Sequence, residues 1–276
     1  MQKIWNNMVE TSKTNKDIVP SSTTVHFLVR ACVRLAKEAT DAEEAMEAAE
    51  SAFGLLRQQR RDHAANSRTT AKGGTNHLGN MEPDVNSYSM VIEAFAQVGS
   101  YEGAKQAEHV MAMLQREYEL HQSPKLRPTV NTYNSLIRAW THMRKGKSLT
   151  RFSERWVREI EEHPDIRPNL RTYTLELQSW ARAASNETAQ QVLKILMKLR
   201  KNSKDNEQLA HLRPTLSMYN LGKCWSVCWS IEVSWNHSEY FGHDKVPFHR
   251  VPDMISFHSN SPTLNNSTFF FLLHHQ

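Results

Sequence analysis

Apolar residues recur at the same helical spacing in four segments of the chain. In each segment a first position is followed by three further, mostly apolar, positions at i+3, i+4 and i+7. That spacing places all four side chains on one face of a short α-helix. The four stripes are Val25, Leu28, Val29 and Cys32; Tyr88, Val91, Ile92 and Phe95; Tyr133, Leu136, Ile137 and Trp140; and Tyr173, Glu176, Leu177 and Trp180. Glu176 is the one charged member, at a position that the pattern predicts to be buried.

A proline stands five residues before each stripe, and a fifth proline opens a shorter copy that ends in Tyr219-Asn220. Proline lacks the backbone donor that the first turn of a helix leaves unpaired, and the small polar residues that follow can cap that turn. Each proline is therefore predicted to open a helix. The five are Pro20, Pro83, Pro128, Pro168 and Pro214.

A second helical pattern follows each complete first one. These patterns run from Asp41 to Arg60, Tyr101 to Tyr118, Leu149 to Glu162 and Glu187 to Lys201. The chain thus reads as tandem helix-turn-helix repeats, with intervals longer than the roughly 34 residues of the commonest two-helix repeats. In the first copy the excess is the stretch from His63 to Asn80, whose Gly, Asn, Thr and Ser content predicts a flexible loop.

These patterns divide the chain into seven parts. Residues 1–19, with Ile4, Trp5, Met8 and Val9, are predicted to be the second helix of a partial upstream repeat. Residues 20–82 form a degenerate repeat with a loop insertion, 83–127, 128–167 and 168–213 form full repeats, 214–221 a truncated repeat, and 222–276 a non-repeat tail. We therefore expect a fragment or an imperfect gene model.

The tail differs from the rest of the chain in composition. It contains no alanine and shows neither helical nor alternating periodicity. Codons for Gly222-Lys223-Cys224 can spell a strong splice-donor signal, so the hypothesis is that residues 222–276 are translated intron and unstructured.

Charge and motif content exclude several classes of function and favour one class of partner. The formal net charge is +5, which favours a polyanionic partner. The three cysteines are too few for a disulfide framework, and no apolar run is long enough to span a bilayer. The only metal-like set, Cys224, Cys228, His237 and His243, has too short a gap between its pairs for a zinc finger, and no catalytic motif is present. We expect no enzyme activity, no metal and no cofactor.

The repeat pattern resembles the pentatricopeptide repeat. Pro128 to Trp140 is similar to that family's first helix, Pro-x-[VL]-x-[ST]-Tyr-Asn-x-Leu-Ile, and Gly99 to Met111 to its second. The resemblance implies an all-α fold, a right-handed superhelical α-solenoid of antiparallel helix pairs. It also implies a single-stranded RNA-binding adaptor in which each repeat reads one base.

In that family the base-reading residues are one in the first turn of the first helix and one just before the next repeat. The resemblance places the first member one residue after the Val or Tyr that begins each stripe, and the second directly after the next proline. The implied pairs are His26 with Asp84, Ser89 with Thr129, Asn134 with Asn169, and Thr174 with Thr215, while Asn220 has no visible partner. Asn134 with Asn169 resembles a pyrimidine-reading pair with cytosine preferred.

Arg127, Arg167 and Arg213 each precede a repeat-opening proline, so they are predicted to lie at equivalent points along one edge of the solenoid. Such cations could contact RNA phosphates, or could simply be solvated surface charges.

The resemblance also implies the setting in which the protein acts. It predicts a role in processing, stability, editing or translation of RNA in a mitochondrion or plastid, with other RNA-processing proteins as further partners and the cytoplasm as the alternative location. No membrane and no small-molecule substrate are expected. The rival interpretation is a tetratricopeptide-like scaffold whose concave face binds a peptide.

Overall fold

The computed structural model describes residues 1–15, 17–71, 78–143, 149–183, 188–205, 211–215 and 217–218. Throughout these ranges the regular elements are helical and no strand occurs. The predicted all-α class is confirmed.

The described residues form nine α-helices and one turn of 3-10 helix at Pro124–Leu126. In chain order the α-helices are α1 (Gln2–Thr14), α2 (Ser22–Glu38), α3 (Ala42–Ala71), α4 (Val85–Val98), α5 (Tyr101–His121), α6 (Val130–Thr141), α7 (Leu149–Glu162), α8 (Leu170–Ala183) and α9 (Thr188–Asp205).

The helices pack as successive pairs. Helices α2 and α3, α4 and α5, α6 and α7, and α8 and α9 contact one another within each pair, and α2, α4, α6 and α8 pack side by side in chain order. Short connections between packed helices make each pair an antiparallel hairpin. The result is the two-layer stack of a helical repeat protein, in which each repeat contacts its neighbours.

The predicted stripes form the core of this stack. Tyr88, Val91, Ile92 and Phe95 are all buried, and Tyr133, Leu136, Ile137 and Trp140 are buried in the next repeat. The indole nitrogens of Trp140 and Trp156 both donate to Glu108 Oε1 at 3.2 Å, which ties α5, α6 and α7 together.

Four of the opening prolines, Pro20, Pro83, Pro128 and Pro168, lie two residues before the helix that follows them. Pro83 precedes the N-cap residue Asp84, and Pro128 precedes the N-cap residue Thr129. The missing proline donor is therefore not one of the unpaired donors of the first turn. Both prolines are instead buried, and a polar side chain caps the helix that follows.

The predicted loop from His63 to Asn80 is wrong over its first half, because α3 continues to Ala71. This half of the segment holds no glycine or proline. Ser67 Oγ and Thr69 Oγ1 also donate to the carbonyls of His63 and Ala65, at 2.9 and 3.0 Å, so their side chains bond within the helix and do not interrupt it. Residues 72–77 lie outside the described residues.

Helix α1 packs against α3. The Trp5 side chain is buried there, and its Nε1 donates to Asp62 Oδ2 at 3.3 Å. Among the described helices none is both long and apolar enough to cross a membrane. The predicted tail, 222–276, and the truncated repeat from Tyr219 onward lie outside the described residues.

Candidate nucleic-acid interface

The first turns of α4, α6 and α8 share one capping arrangement. The N-cap side chain accepts a hydrogen bond from the backbone N–H three residues later, and the hydroxyl of that third residue accepts one from the N-cap backbone. For α8 the two distances are 3.1 Å, from Thr172 N to Asn169 Oδ1, and 3.2 Å, from Asn169 N to Thr172 Oγ1. The equivalent pairs are Asp84 with Ser87 in α4, and Thr129 with Thr132 in α6.

The capping hydroxyl also reaches the preceding first helix. Ser87 Oγ lies 2.8 Å from His26 Nε2, Thr132 Oγ1 lies 2.8 Å from Ser89 Oγ, and Thr172 Oγ1 donates to Asn134 Oδ1 at 2.8 Å. Each hydroxyl therefore joins the two members of a predicted base-reading pair. We call these sets the junction trios: His26, Ser87 and Asp84; Ser89, Thr132 and Thr129; and Asn134, Thr172 and Asn169.

The hydroxyl residues of the trios are buried and were not among the predicted site residues. Ser87, Thr132 and Thr172 are at most 1% exposed. The signal for them was the Ser or Thr directly before each tyrosine, which sequence reasoning used only as part of a helix-start pattern. Their contact across the repeat boundary depends on how α4, α6 and α8 pack, which local spacing does not specify.

The asparagine trio is the most completely bonded. Asn134 Nδ2 donates to Asn169 Oδ1 at 3.2 Å, and Thr172 Oγ1 lies 3.1 Å from the same oxygen. Asn134 is only 3% exposed, whereas Asn169 is partly exposed. A base approaching this junction would therefore meet the Asn169 amide first.

The histidine trio contains an ionised carboxyl group. His26 Nε2 lies 3.3 Å from Asp84 Oδ1. Burial opposes ionisation of Asp84, but hydrogen bonds from His26 and Ser87 outweigh it and hold the pKa of this carboxyl well below its usual range. A carboxylate accepts hydrogen bonds only, so this junction favours a ligand that donates.

The remaining predicted pair is not joined. Thr174 Oγ1 donates to the carbonyl of Leu170 at 2.8 Å, and Thr215 Oγ1 pairs with Ser217 Oγ at 2.9 Å. No hydrogen bond links Thr174 to Thr215 within the described ranges. Asn220 lies outside them.

The three edge arginines are all exposed but differ in their contacts. Arg127 forms an ion pair with Asp165, and Arg167 Nη1 donates to the carbonyl of His163 at 3.3 Å. For Arg213 the described part of the chain shows no ion pair.

A second set of cations lies on the first helices themselves, four and eight residues after the first members of the pairs. This spacing keeps them on nearly the same helix face. They are Arg30 and Arg34 on α2, Arg138 on α6 and Arg182 on α8. Arg138 pairs with Glu93, and Arg182 Nη1 donates to the carbonyl of Thr141 at 2.8 Å. Sequence reasoning missed this set because it followed only the edge positions.

Within the described ranges no group of three His, Cys, Asp or Glu side chains is placed to hold a metal ion.

Comparison with known proteins gives one family match. Residues 77–143, which include α4, α5 and α6, match the model of the pentatricopeptide repeat domain. This confirms the resemblance over that part of the chain. No curated protein and no solved structure matches the chain significantly.

Proposed function

We propose that this chain binds single-stranded RNA in a sequence-dependent manner, taking as the premise the pentatricopeptide repeat domain that residues 77–143 match. The observation that carries the proposal is the meeting of the predicted base-reading residues at repeat boundaries. His26 meets Asp84, Ser89 meets Thr129 through Thr132, and Asn134 meets Asn169. Residues far apart in sequence thus form one polar site at each of three successive boundaries, the arrangement needed to read one base per repeat.

The charge distribution supports the same partner. The chain carries a net charge of +5, and Arg30 and Arg34 are exposed beyond the first junction trio. Cations near the base-reading residues would neutralise RNA phosphates and release counterions, which supplies affinity without sequence preference. The trios would then supply the selectivity.

We further propose that the protein acts as an adaptor, not as a catalyst, in processing, stability, editing or translation of an organellar transcript. The family match supports the role in RNA metabolism. The adaptor role rests on the sequence analysis, which found no catalytic motif. Purified mitochondria and plastids probed with an antibody to the chain would test the location. Detection only in the cytosolic fraction would refute the organellar part.

Direct binding tests the function. Fluorescence anisotropy with the full chain and a panel of labelled ten-nucleotide RNAs of varied sequence should show saturable binding that weakens with salt. Asn134→Ala should weaken pyrimidine-containing RNAs more than purine-only RNAs, because it removes a base-reading carboxamide. Asn6→Ala is the matched control, since Asn6 is exposed on α1 and lies away from every junction trio.

Two results would refute the proposed RNA-binding function. One is the absence of any RNA binding at low salt. The other is an equal effect of Asn134→Ala on every RNA, which would leave a protein-binding scaffold as the better interpretation.

A further inference from the structure

We infer that Thr172 is a positioning residue for base selection: its buried hydroxyl fixes which way the Asn134 carboxamide points. This inference rests on the proposed function for its effect on RNA, and on the geometry of the asparagine trio for the orientation itself. Thr172 would not touch the base. It would act through Asn134.

The first constraint comes from the N-cap of α8. Asn169 Oδ1 accepts from Thr172 N at 3.1 Å, so the oxygen of this side chain faces the helix. Turning the amide around would place an NH₂ group against a backbone N–H and lose the cap. The Asn169 Nδ2 group must therefore point away from the helix.

The second constraint passes from Asn169 to Asn134. Asn134 Nδ2 donates to Asn169 Oδ1 at 3.2 Å. If the Asn134 amide were reversed, its oxygen would face that same oxygen at hydrogen-bond distance, an unfavourable pair of acceptors. The Asn134 oxygen consequently lies on the other side, next to Thr172.

The Thr172 hydroxyl completes the arrangement. It accepts from Asn169 N at 3.2 Å and has one hydrogen to donate. The nearer acceptor is Asn134 Oδ1 at 2.8 Å, compared with 3.1 Å for Asn169 Oδ1. Because Asn134 is buried, its oxygen would otherwise lack a partner, which is a costly state.

In this arrangement both amide oxygens of the trio already accept hydrogen bonds, and the groups left for a ligand are NH₂ hydrogens. They are the second hydrogen of Asn134 Nδ2 and the two hydrogens of Asn169 Nδ2, for which the described residues supply no acceptor. Cytosine presents two adjacent acceptors, N3 and O2, on its pairing edge. Uracil has an N–H between its acceptors, and each purine pairs an acceptor with a donor. A donor-only site therefore fits cytosine best.

The threonine trio lacks this fixed polarity. Ser89, Thr132 and Thr129 meet through three hydroxyls at 2.8 and 3.2 Å, and either atom of each pair can donate. These hydroxyls can rotate to suit a donor or an acceptor on the base. The Thr132 hydroxyl therefore caps its helix without fixing a donor or an acceptor toward the base. A matched control for Thr172 lies on α2, where Thr24 Oγ1 accepts from Ser21 N at 3.3 Å in the same capping arrangement but joins no predicted base-reading pair.

The test uses the full chain with Thr172→Val, Thr172→Ser and Thr24→Val. The readout is the ratio of dissociation constants for two RNAs that differ only by cytosine or uracil at the nucleotide sensitive to Asn134→Ala. Thr172→Val should shift this ratio about tenfold toward equality, the scale of one well-oriented polar contact pair. Thr172→Ser should restore it. Thr24→Val, which removes the equivalent capping hydroxyl from α2, should leave it unchanged.

A second readout needs no RNA. In the free protein, the side-chain NH₂ resonances of Asn134 should shift or broaden in Thr172→Val and return to their original positions in Thr172→Ser. If the wild-type chain binds no RNA but these resonances respond as expected, the proposed function fails and the positioning role stands. Unmoved Asn134 resonances in Thr172→Val, or a cytosine-to-uracil ratio that does not change, would overturn the positioning role.

Discussion

Glu176 is a carboxyl group at a core position. It is 9% exposed and occupies the place that Val91 and Leu136 hold in the two preceding repeats. Its carboxyl lines a cavity of about 200 Å³ between α7, α8 and α9. Burial raises the pKa of Glu176 to about 7. The nearby carboxylates of Glu161 and Glu154 add to this effect, and the Lys198 ammonium opposes it.

This raised pKa makes stability depend on pH. The folded protein holds the Glu176 proton more tightly than the unfolded chain does, so the contribution is fully present below the ordinary value of 4.5 and is lost as pH rises toward 7. Over that window the free energy of unfolding should fall by about 3 kcal/mol from this group.

Replacing Glu176 by leucine should remove that pH dependence. We expect Glu176→Leu to raise the free energy of unfolding at pH 8 by about 2–3 kcal/mol, because it buries an apolar side chain in place of a charge. Urea unfolding at pH 5 and pH 8 measures both effects. Glu119→Leu, at an exposed site on α5, should change neither by more than about 0.5 kcal/mol. A mutant that keeps the wild-type pH slope would contradict the assignment.

The residue pattern predicted that Glu176 would be buried but not what surrounds it. Its column in the repeat is evident from spacing alone. The groups that set its pKa come from α7 and α9, and their position opposite the carboxyl depends on how the two second helices pack against α8. Sequence periodicity gives the face of each helix, not its register against its neighbours.

At the scale of the helix, two glycines in second helices have opposite roles. A Cβ at Gly103, in the first turn of α5, would lie 2.9 Å from Val98 Cβ and 3.0 Å from the Phe95 carbonyl oxygen. Gly54, in the middle of α3, would meet only the Gln2 side chain at 3.5 Å. Gly103 thus permits close packing of α5 on α4, while Gly54 has room for a side chain.

The same substitution should therefore have opposite effects at the two sites. Gly54→Ala should stabilise the protein by about 0.5–1 kcal/mol, because alanine restricts the unfolded chain and favours the helix. Gly103→Ala should destabilise it by about 1–3 kcal/mol through overpacking. Thermal unfolding of the two variants would measure the difference, and stabilisation by both would show that α4 and α5 can separate at no cost.

Helix starts could be predicted from sequence more reliably than one of the helix ends. Proline and the capping residues mark the start of each first helix chemically, and α2, α4, α6 and α8 begin within two residues of their prolines. The end of α3 carries no such mark, because polar residues such as Ser67 and Thr69 suit either a loop or an exposed helical turn. In the candidate site, the paired residues followed from the family resemblance, whereas the hydroxyl between them did not.

At the scale of the whole molecule, the stack repeats one polar junction at three successive boundaries. Two edge arginines, Arg127 and Arg167, stand two residues before Thr129 and Asn169 of these junctions. The edge arginines are not equivalent, however. Arg127 is held by Asp165 of the following repeat, whereas Arg167 contacts only a backbone carbonyl in the described part of the chain. An arginine that already has a carboxylate partner gains less from a phosphate.

Salt dependence of RNA binding should separate these two arginines. Arg167→Gln should reduce the slope of log affinity against log salt by about 0.7, the value for one phosphate contact on a single strand. Arg127→Gln should reduce it by less than half as much. Anisotropy titrations at several salt concentrations would measure both slopes, and equal slopes in both variants and wild type would mean that neither arginine contacts phosphate.

The junction trios define where this chain could be cut and recombined. Asn169 and Thr172 lie on one side of the boundary at Pro168, and Asn134, the residue they orient, lies on the other. A chimera joined at the proline would separate a base-reading residue from the groups that hold it. A chimera joined after Tyr173, within the first turn of α8, would transfer Asn134, Asn169 and Thr172 together with their selectivity.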